Sequence, residues 1–176
     1  MDNVQQQDVV YFAHGKEGTP WGRKIERLAE VARRRGFHVE SPDYTDIPDP
    51  DRRVEMLLAR APIPARRLVL VGSSMGAYLS VVASRKLRPD GLFLMSPALY
   101  LWDYADQDPH PHARVTVVVH GWRDDVVPPA NSVRFAQKHR ATLHMVDSDH
   151  RLLDALPFLT QAFDWFLGQV GETNGG

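Results

Sequence analysis

RLVLVGSSMGAYLSVVASRK, residues 67–86, changes character at its middle, and that change decides the fold. Leu68, Val69, Leu70 and Val71 form a short, continuous apolar run that ends at Gly72, the mark of a strand buried on both faces. From Met75 to about Lys86 the residues are apolar on almost every side: Ala77, Tyr78, Leu79, Val81, Val82 and Ala83. All-round apolarity predicts a helix enclosed by the protein rather than lying on its surface. Between strand and helix stands Gly72-Ser73-Ser74-Met75-Gly76, a G-x-S-x-G pattern. A chain that passes directly from strand to helix must turn sharply, and the residues two before and two after the apex must be small. Glycine meets that need on both sides of Ser74, whereas Ser73 is not flanked symmetrically. Such a turn lifts the Ser74 hydroxyl clear of the sheet and aims the helix N-terminus at it. The backbone N–H of Met75 is then available to stabilise an oxyanion. In a surface loop the same letters would describe only a glycine-bounded joint. Their setting favours a nucleophile.

Outward from this segment, apolar runs alternate with stretches of helical period. Strands are expected over residues 9–13, 37–40, 91–96, 114–121 and 141–146, with helices over 20–35, 52–61, 129–139 and 157–167. In the first helix Ile25, Leu28, Val31 and Ala32 share a face, and Gly36 ends it. Alternating strands and helices, with strands apolar on both faces, predict an α/β architecture. It is a single-domain, doubly wound, mainly parallel sheet of about six strands with helices on both faces. The domain is expected to span residues 8–170, between short tails at 1–7 and 171–176. LYLWDY (residues 99–104) fits this alternation least well.

Bulk properties exclude several classes of function. The 176 residues are 43% apolar and 24% charged, enough for one sizeable core. A formal net charge of −1 supplies no field to draw in nucleic acid or an anionic membrane, and neither is an expected partner. The absence of cysteine removes disulfides, thiolate metal sites and a cysteine nucleophile together. A polar start (MDNVQQQDVVYF) and the lack of any uncharged run of membrane-spanning length fit a cytoplasmic protein.

A serine hydroxyl is a weak nucleophile at neutral pH and needs a base, which itself needs an orienting acid. Where the nucleophile stands on such a turn, Asp or Glu and then His follow in chain order, each just beyond a later strand. The strand at 114–121 runs into His120-Gly121-Trp122-Arg123-Asp124-Asp125-Val126-Val127-Pro128. Asp124 is preferred to Asp125 because it lies nearer the strand end. The last strand runs into Asp147-Ser148-Asp149-His150, which places His150 on the final loop. His14 and His120, each before a glycine at a strand end, are its rivals. His14 precedes the serine in the chain, however, and His120 would have to swing back from its own strand. Asp147 and Asp149 read as loop charges or a helix cap.

G-x-S-x-G after a strand, HG-x-x-D-x-x-V-P from His120 to Pro128 and Asp149-His150 on the last loop together resemble the α/β-hydrolase superfamily. The resemblance also takes in His14-Gly15 at the end of the first strand and so covers almost the whole chain. It is nearest to small, cap-less, esterase-like serine hydrolases, and unlike larger members in having no long cap domain. It implies that the residue after the early His-Gly pair, Lys16, gives a second oxyanion N–H beside that of Met75. Ser74, Asp124 and His150 then form the expected catalytic set.

Trp21, Leu99, Trp102 and Trp122 are candidate walls of an acyl pocket, with residues 99–104 either a short lid or a helix packed on the core. Arg33-Arg34-Arg35 and Arg52-Arg53 read as solvated helix faces. His110 and His112 lack a carboxylate at helical spacing, so no metal and no cofactor is expected. The expected reaction is transfer of an ester-type acyl group from a small-molecule substrate to water. A thioesterase, amidase, peptidase or perhydrolase would use the same groups, and a binding protein could keep the fold without turnover. Nothing in the sequence specifies an oligomeric state.

Overall fold

The computed structural model describes residues 7–61 and 66–172. Most of the two tails expected from the sequence, at 1–6 and 173–176, lies outside the described residues. Six strands form one sheet: β1 (Asp8–Ala13), β2 (His38–Glu40), β3 (Arg67–Ser73), β4 (Gly91–Met95), β5 (Val115–Gly121) and β6 (Thr142–Val146). Their order is β2-β1-β3-β4-β5-β6, and every neighbouring pair is parallel. Five helices join them: α1 (Arg23–Arg34), α2 (Pro50–Arg60), α3 (Met75–Leu87), α4 (Pro129–His139) and α5 (Leu156–Gly171). The sheet is therefore wholly parallel. No helix among the described residues is long and apolar enough to cross a membrane.

The continuous apolar runs divide by alternation between two cores. Val10, Phe12, Val69, Val71, Phe93 and Val117 point toward α1 and α5. Val9, Tyr11, Leu68, Leu70, Leu92 and Val118 point toward α2, α3 and α4. A strand covered on both faces must be apolar at every position, which is why these segments show no polar alternation. On the α1–α5 side Phe93, Phe163 and Phe166 pack ring to ring at 5.1 to 5.9 Å, filling the middle of that core.

Local chemistry moves two helix boundaries. α2 begins at Pro50 rather than Arg52, because the Asp49 carboxylate accepts the N–H groups of Asp51 (2.8 Å) and Arg52 (3.0 Å) while proline fits the first helical position. α1 begins at Arg23 rather than near residue 20, since Gly22 N–H closes a turn onto the Thr19 carbonyl at 3.3 Å. At the other end of the chain α5 continues to Gly171, past residue 167.

Chain order and sheet order diverge at β1. The chain runs outward to β2, then crosses back over β1 to β3 and proceeds to β6. The two loops that part there, after β1 and after β3, leave a crevice at the carboxyl ends of the strands, the usual place for a ligand in such a sheet.

Candidate active site

Ser74 lies at the joint of β3 and α3 with φ 55° and ψ −116°, a conformation that a residue with a side chain rarely adopts. Strain of this kind costs on the order of 1–3 kcal/mol and persists only where the surroundings enforce it. Here the Ser74 N–H donates to the Met95 carbonyl (2.9 Å), and the Ser74 carbonyl accepts the N–H groups of Ala77 (3.0 Å) and Ala98 (3.1 Å). The flanking glycines let the chain pass. A Cβ on Gly72 would lie 2.3 Å from the Gly76 carbonyl oxygen, and one on Gly76 only 1.9 Å from that of Ala13. Backbone occupies the space where those side chains would stand.

The hydroxyl of Ser74 is 3.0 Å from His150 Nε2, and His150 Nδ1 is 2.7 Å from Asp124 Oδ2. Asp124 follows β5 and His150 follows β6, so three loops at the carboxyl ends of the strands bring the groups together. Asp125 is exposed and takes no part. Asp124 is buried and accepts four hydrogen bonds. Oδ1 takes the N–H groups of Val126 (2.9 Å) and Val127 (2.8 Å), while Oδ2 takes His150 Nδ1–H and, at 2.8 Å, His120 Nε2–H. Burial pushes its pKa up, but the bonds from Val127, His150 and Val126 outweigh burial, and the carboxyl sits below the usual range. It is therefore a fixed negative charge facing His150. Its Nδ1–H donor places the lone pair of His150 on Nε2, toward the serine.

Both rival histidines are buried with each ring nitrogen engaged. His120 Nδ1 accepts from the Ser132 hydroxyl (2.6 Å), and its Nε2–H is shared by Asp124 and the Val127 carbonyl (3.2 Å). His14 Nδ1–H donates to the Gly15 carbonyl (2.8 Å), while Nε2 accepts the Tyr44 N–H (2.9 Å). Burial is the main cause that lowers the pKa of each below the ordinary histidine value, so both stay neutral. Neither has a lone pair free to take a proton from Ser74. Their part is support, His120 for Asp124 and His14 for the loop after β1. The HG pairs mark both histidines in the sequence, but not what their nitrogens bind.

Arg53 corrects the sequence reading outright. Expected on a solvated face, it is 1% exposed. Its guanidinium donates to the carbonyls of Ile47 (2.5 Å), His14 (3.2 Å) and Gly15 (3.3 Å) and lies 5.7 Å from the centre of the Tyr44 ring. A cation is thus buried under the loop that presents Lys16. The signal was its position beside Val54 and one turn before Leu57, on the apolar face of α2. The N–H groups of Lys16 and Met75 have no hydrogen-bond partner among the described residues, and both residues line the cavity that holds Ser74. Asp149, expected as a loop charge or cap, accepts the N–H groups of Arg151 (2.9 Å) and Leu152 (3.2 Å).

The cavity over Ser74 has a volume of about 470 Å³, within the range of small-molecule sites. None of the four residues expected to wall it lines it. Leu99 is 0% exposed in the core under α3, and Trp102 is 90% exposed to solvent. Trp122 is also exposed, and Trp21 lies outside the cavity against the Arg33 guanidinium, 5.6 Å from its ring centre. Large aromatics on loops suggested a wall, but smaller side chains (Ala98, Leu101, Val126 and Val127) form it together with Tyr104. Residues 99–104 are neither a helix nor a separate lid. They are a bent loop with Leu99 anchored in the core and Leu101 and Tyr104 turned to the cavity. Lys24, which sequence reasoning passed over, reaches the same cavity and donates from Nζ to the Arg151 carbonyl at 2.9 Å. Burial pushes its pKa down to about 8, against the opposing pull of Asp149.

No protein-family model matches the chain, and no curated protein matches it. Solved structures do. A protein of Xanthomonas campestris pv. campestris described as a hydrolase of the alpha/beta superfamily is 33% identical with a TM-score of 0.83, over 93% of this chain and 99% of that one. A serine hydrolase without lid from Xanthomonas campestris is 23% identical (TM-score 0.69, 96% of this chain and 85% of the other). An esterase of Pyrococcus furiosus is 17% identical (TM-score 0.70, 93% and 83%), and these last two likenesses speak for the fold alone. Near-complete mutual coverage at one-third identity, on this sheet and this edge, places the chain in the α/β-hydrolase superfamily, as a hydrolase in the broad sense.

Proposed function

We propose that the protein is a serine hydrolase that cleaves an ester-type acyl bond through an acyl-enzyme on Ser74. The observation that carries this reading is the unbroken line of hydrogen bonds from Asp124 through His150 to a serine held on a strained turn. His150 Nε2 takes the hydroxyl proton as Ser74 Oγ forms a bond to the ester carbonyl carbon. The negative charge that develops on the carbonyl oxygen is met by the N–H groups of Lys16 and Met75. The intermediate collapses, the bond to the leaving oxygen breaks, and that oxygen takes the proton from His150. Water repeats the sequence: His150 removes its proton, the hydroxide adds to the acyl carbon, and the carboxylic acid leaves as Ser74 recovers its proton. Asp124 remains ionised throughout and stabilises His150 while it is charged.

The test is hydrolysis of 4-nitrophenyl butyrate and labelling by a fluorophosphonate probe. The protein should turn over the ester and take the label at Ser74. Ser74→Ala and His150→Ala should each lose both, with kcat down at least roughly 10⁴-fold. Full activity in Ser74→Ala would falsify the assignment of the nucleophile, and an unlabelled, inactive wild type would make the chain a binding protein on a hydrolase fold.

A further inference from the structure

The side chains lining the cavity are unevenly charged. Lys16, Arg23, Lys24 and Arg151 line it, with Glu17 as the single carboxylate. Among the described residues none of these four cations has a carboxylate within ion-pair distance. The neighbouring acids are engaged elsewhere. Asp124 faces His150 and His120, and Asp149, whose charge acts on Lys24 from beyond ion-pair distance, bonds to backbone N–H groups of its own loop. Asp147 and Asp154 hold Arg123 at 2.7 and 3.1 Å. Asp43 accepts from Thr45. The excess is local, because the whole chain carries a net charge of −1.

These cations also have a defined place relative to the chemistry. His150 must pass its proton to the leaving oxygen, so the leaving group lies against His150. Arg151 is the next residue, and Lys24 is bonded to the Arg151 carbonyl. Arg23 and Lys16 belong to the first turn of α1 and the loop before it. The part of the lining that comes from the loops after β4 and β5 is apolar: Ala98, Leu101, Val126 and Val127. An anion beside Lys24 would also favour the charged form that burial opposes there.

We infer that the substrate is an ester whose leaving alcohol carries an oxyanion, a carboxylate or a phosphate, bound by Lys16, Arg23, Lys24 and Arg151, with an uncharged acyl group against the apolar wall. This rests on the serine-hydrolase reading above. The arginine forks match either oxyanion in a bidentate manner, and Lys24 adds a point charge.

The test compares charged and neutral esters of similar size by acetate release. 4-Acetoxybenzoate is set against its methyl ester, and 2-acetoxyethyl phosphate against 2-methoxyethyl acetate, which separates the two oxyanions. The anionic member of at least one pair should have kcat/KM at least tenfold higher at low salt, with the ratio shrinking in 0.5 M NaCl as screening grows. Arg151→Gln and Lys24→Met should each cut that ratio several-fold, and a ratio is insensitive to any common loss of activity. If Lys24→Met fails to fold, Arg151→Gln alone decides. In the Ser74→Ala protein 4-hydroxybenzoate should bind more tightly than 4-hydroxybenzamide by calorimetry, a readout that needs no turnover. Equal or better use of the neutral esters overturns the inference and leaves the serine-hydrolase reading standing. No hydrolysis of any ester and no fluorophosphonate label overturns that reading, and this inference with it.

Discussion

At the scale of single residues, Asp124 is the most constrained group in the site. Two backbone N–H groups saturate one of its oxygens, and two histidine N–H groups saturate the other. An amide in its place has one acceptor oxygen and must turn its NH₂ toward one of those donor pairs. Asp124→Asn is therefore expected to lose the His150 orientation or the turn at Val126–Val127. We expect kcat to fall roughly 10⁴-fold, with stability lower by about 1–3 kcal/mol for the donors left facing donors. Steady-state kinetics beside urea denaturation measures both, and kinetics within tenfold of wild type would contradict this account. Residues with a distinctive place in the chain order, Ser74 after β3, Asp124 after β5 and His150 after β6, are legible in the sequence itself. The roles of His120 and Arg53 are not, because they depend on partners 12 and 39 positions away. A histidine or arginine that binds such a partner has the same letter as one in water.

At the scale of elements, the joint of β3 and α3 depends on what is missing from it. Gly76 gives α3 room to touch β1, since any Cβ there would overlap the backbone at Ala13. Gly76→Ala is expected to push α3 off the sheet and cost about 1–3 kcal/mol or more, as overpacking against immovable backbone does. The measurement is the urea midpoint, with fluorophosphonate labelling of whatever remains folded. A stable, fully labelled Gly76→Ala protein would show that the joint can widen. The glycines were readable because spacing alone exposes them. The cavity wall was not, because exposure of a loop side chain is set by how the loop bends. Trp102 and Tyr104, two residues apart, face solvent and cavity respectively.

At the scale of the whole molecule, buried ionisable groups tie stability to pH. His14 and His120 have folded pKa values below the unfolded value of about 6.5, so below that pH the unfolded chain binds more protons. Their contribution is complete above about pH 6.5 and is lost as pH falls through the folded values. Asp124, also depressed, follows the same sign at lower pH: its share is complete above the unfolded carboxylate pKa of about 3.9 and is lost on further acidification. The urea midpoint should therefore begin to fall below about pH 6.5, before carboxylates titrate. A midpoint that stays level from pH 8 to pH 5 would remove the buried, neutral histidines from the account. The parallel sheet and its two-sided covering were legible throughout, since burial on both faces forces apolar residues at every strand position. The order of the strands was not, because the buried strands β1, β3, β4 and β5 carry much the same apolar signature.

That strand order has a consequence for how the protein comes into being. The serine follows the third strand and its hydrogen-bonded histidine, 76 residues later, follows the sixth, the strand at the far edge of the sheet. During synthesis the turn that holds Ser74 can be complete while His150, proposed above to draw off its proton, has yet to leave the ribosome. On the reading proposed above, the hydroxyl stays an ordinary alcohol until β6 docks. Reactivity toward a serine-directed probe would then report docking of the sixth strand, and a chain cut short before residue 150 would be inert however well its first half had folded.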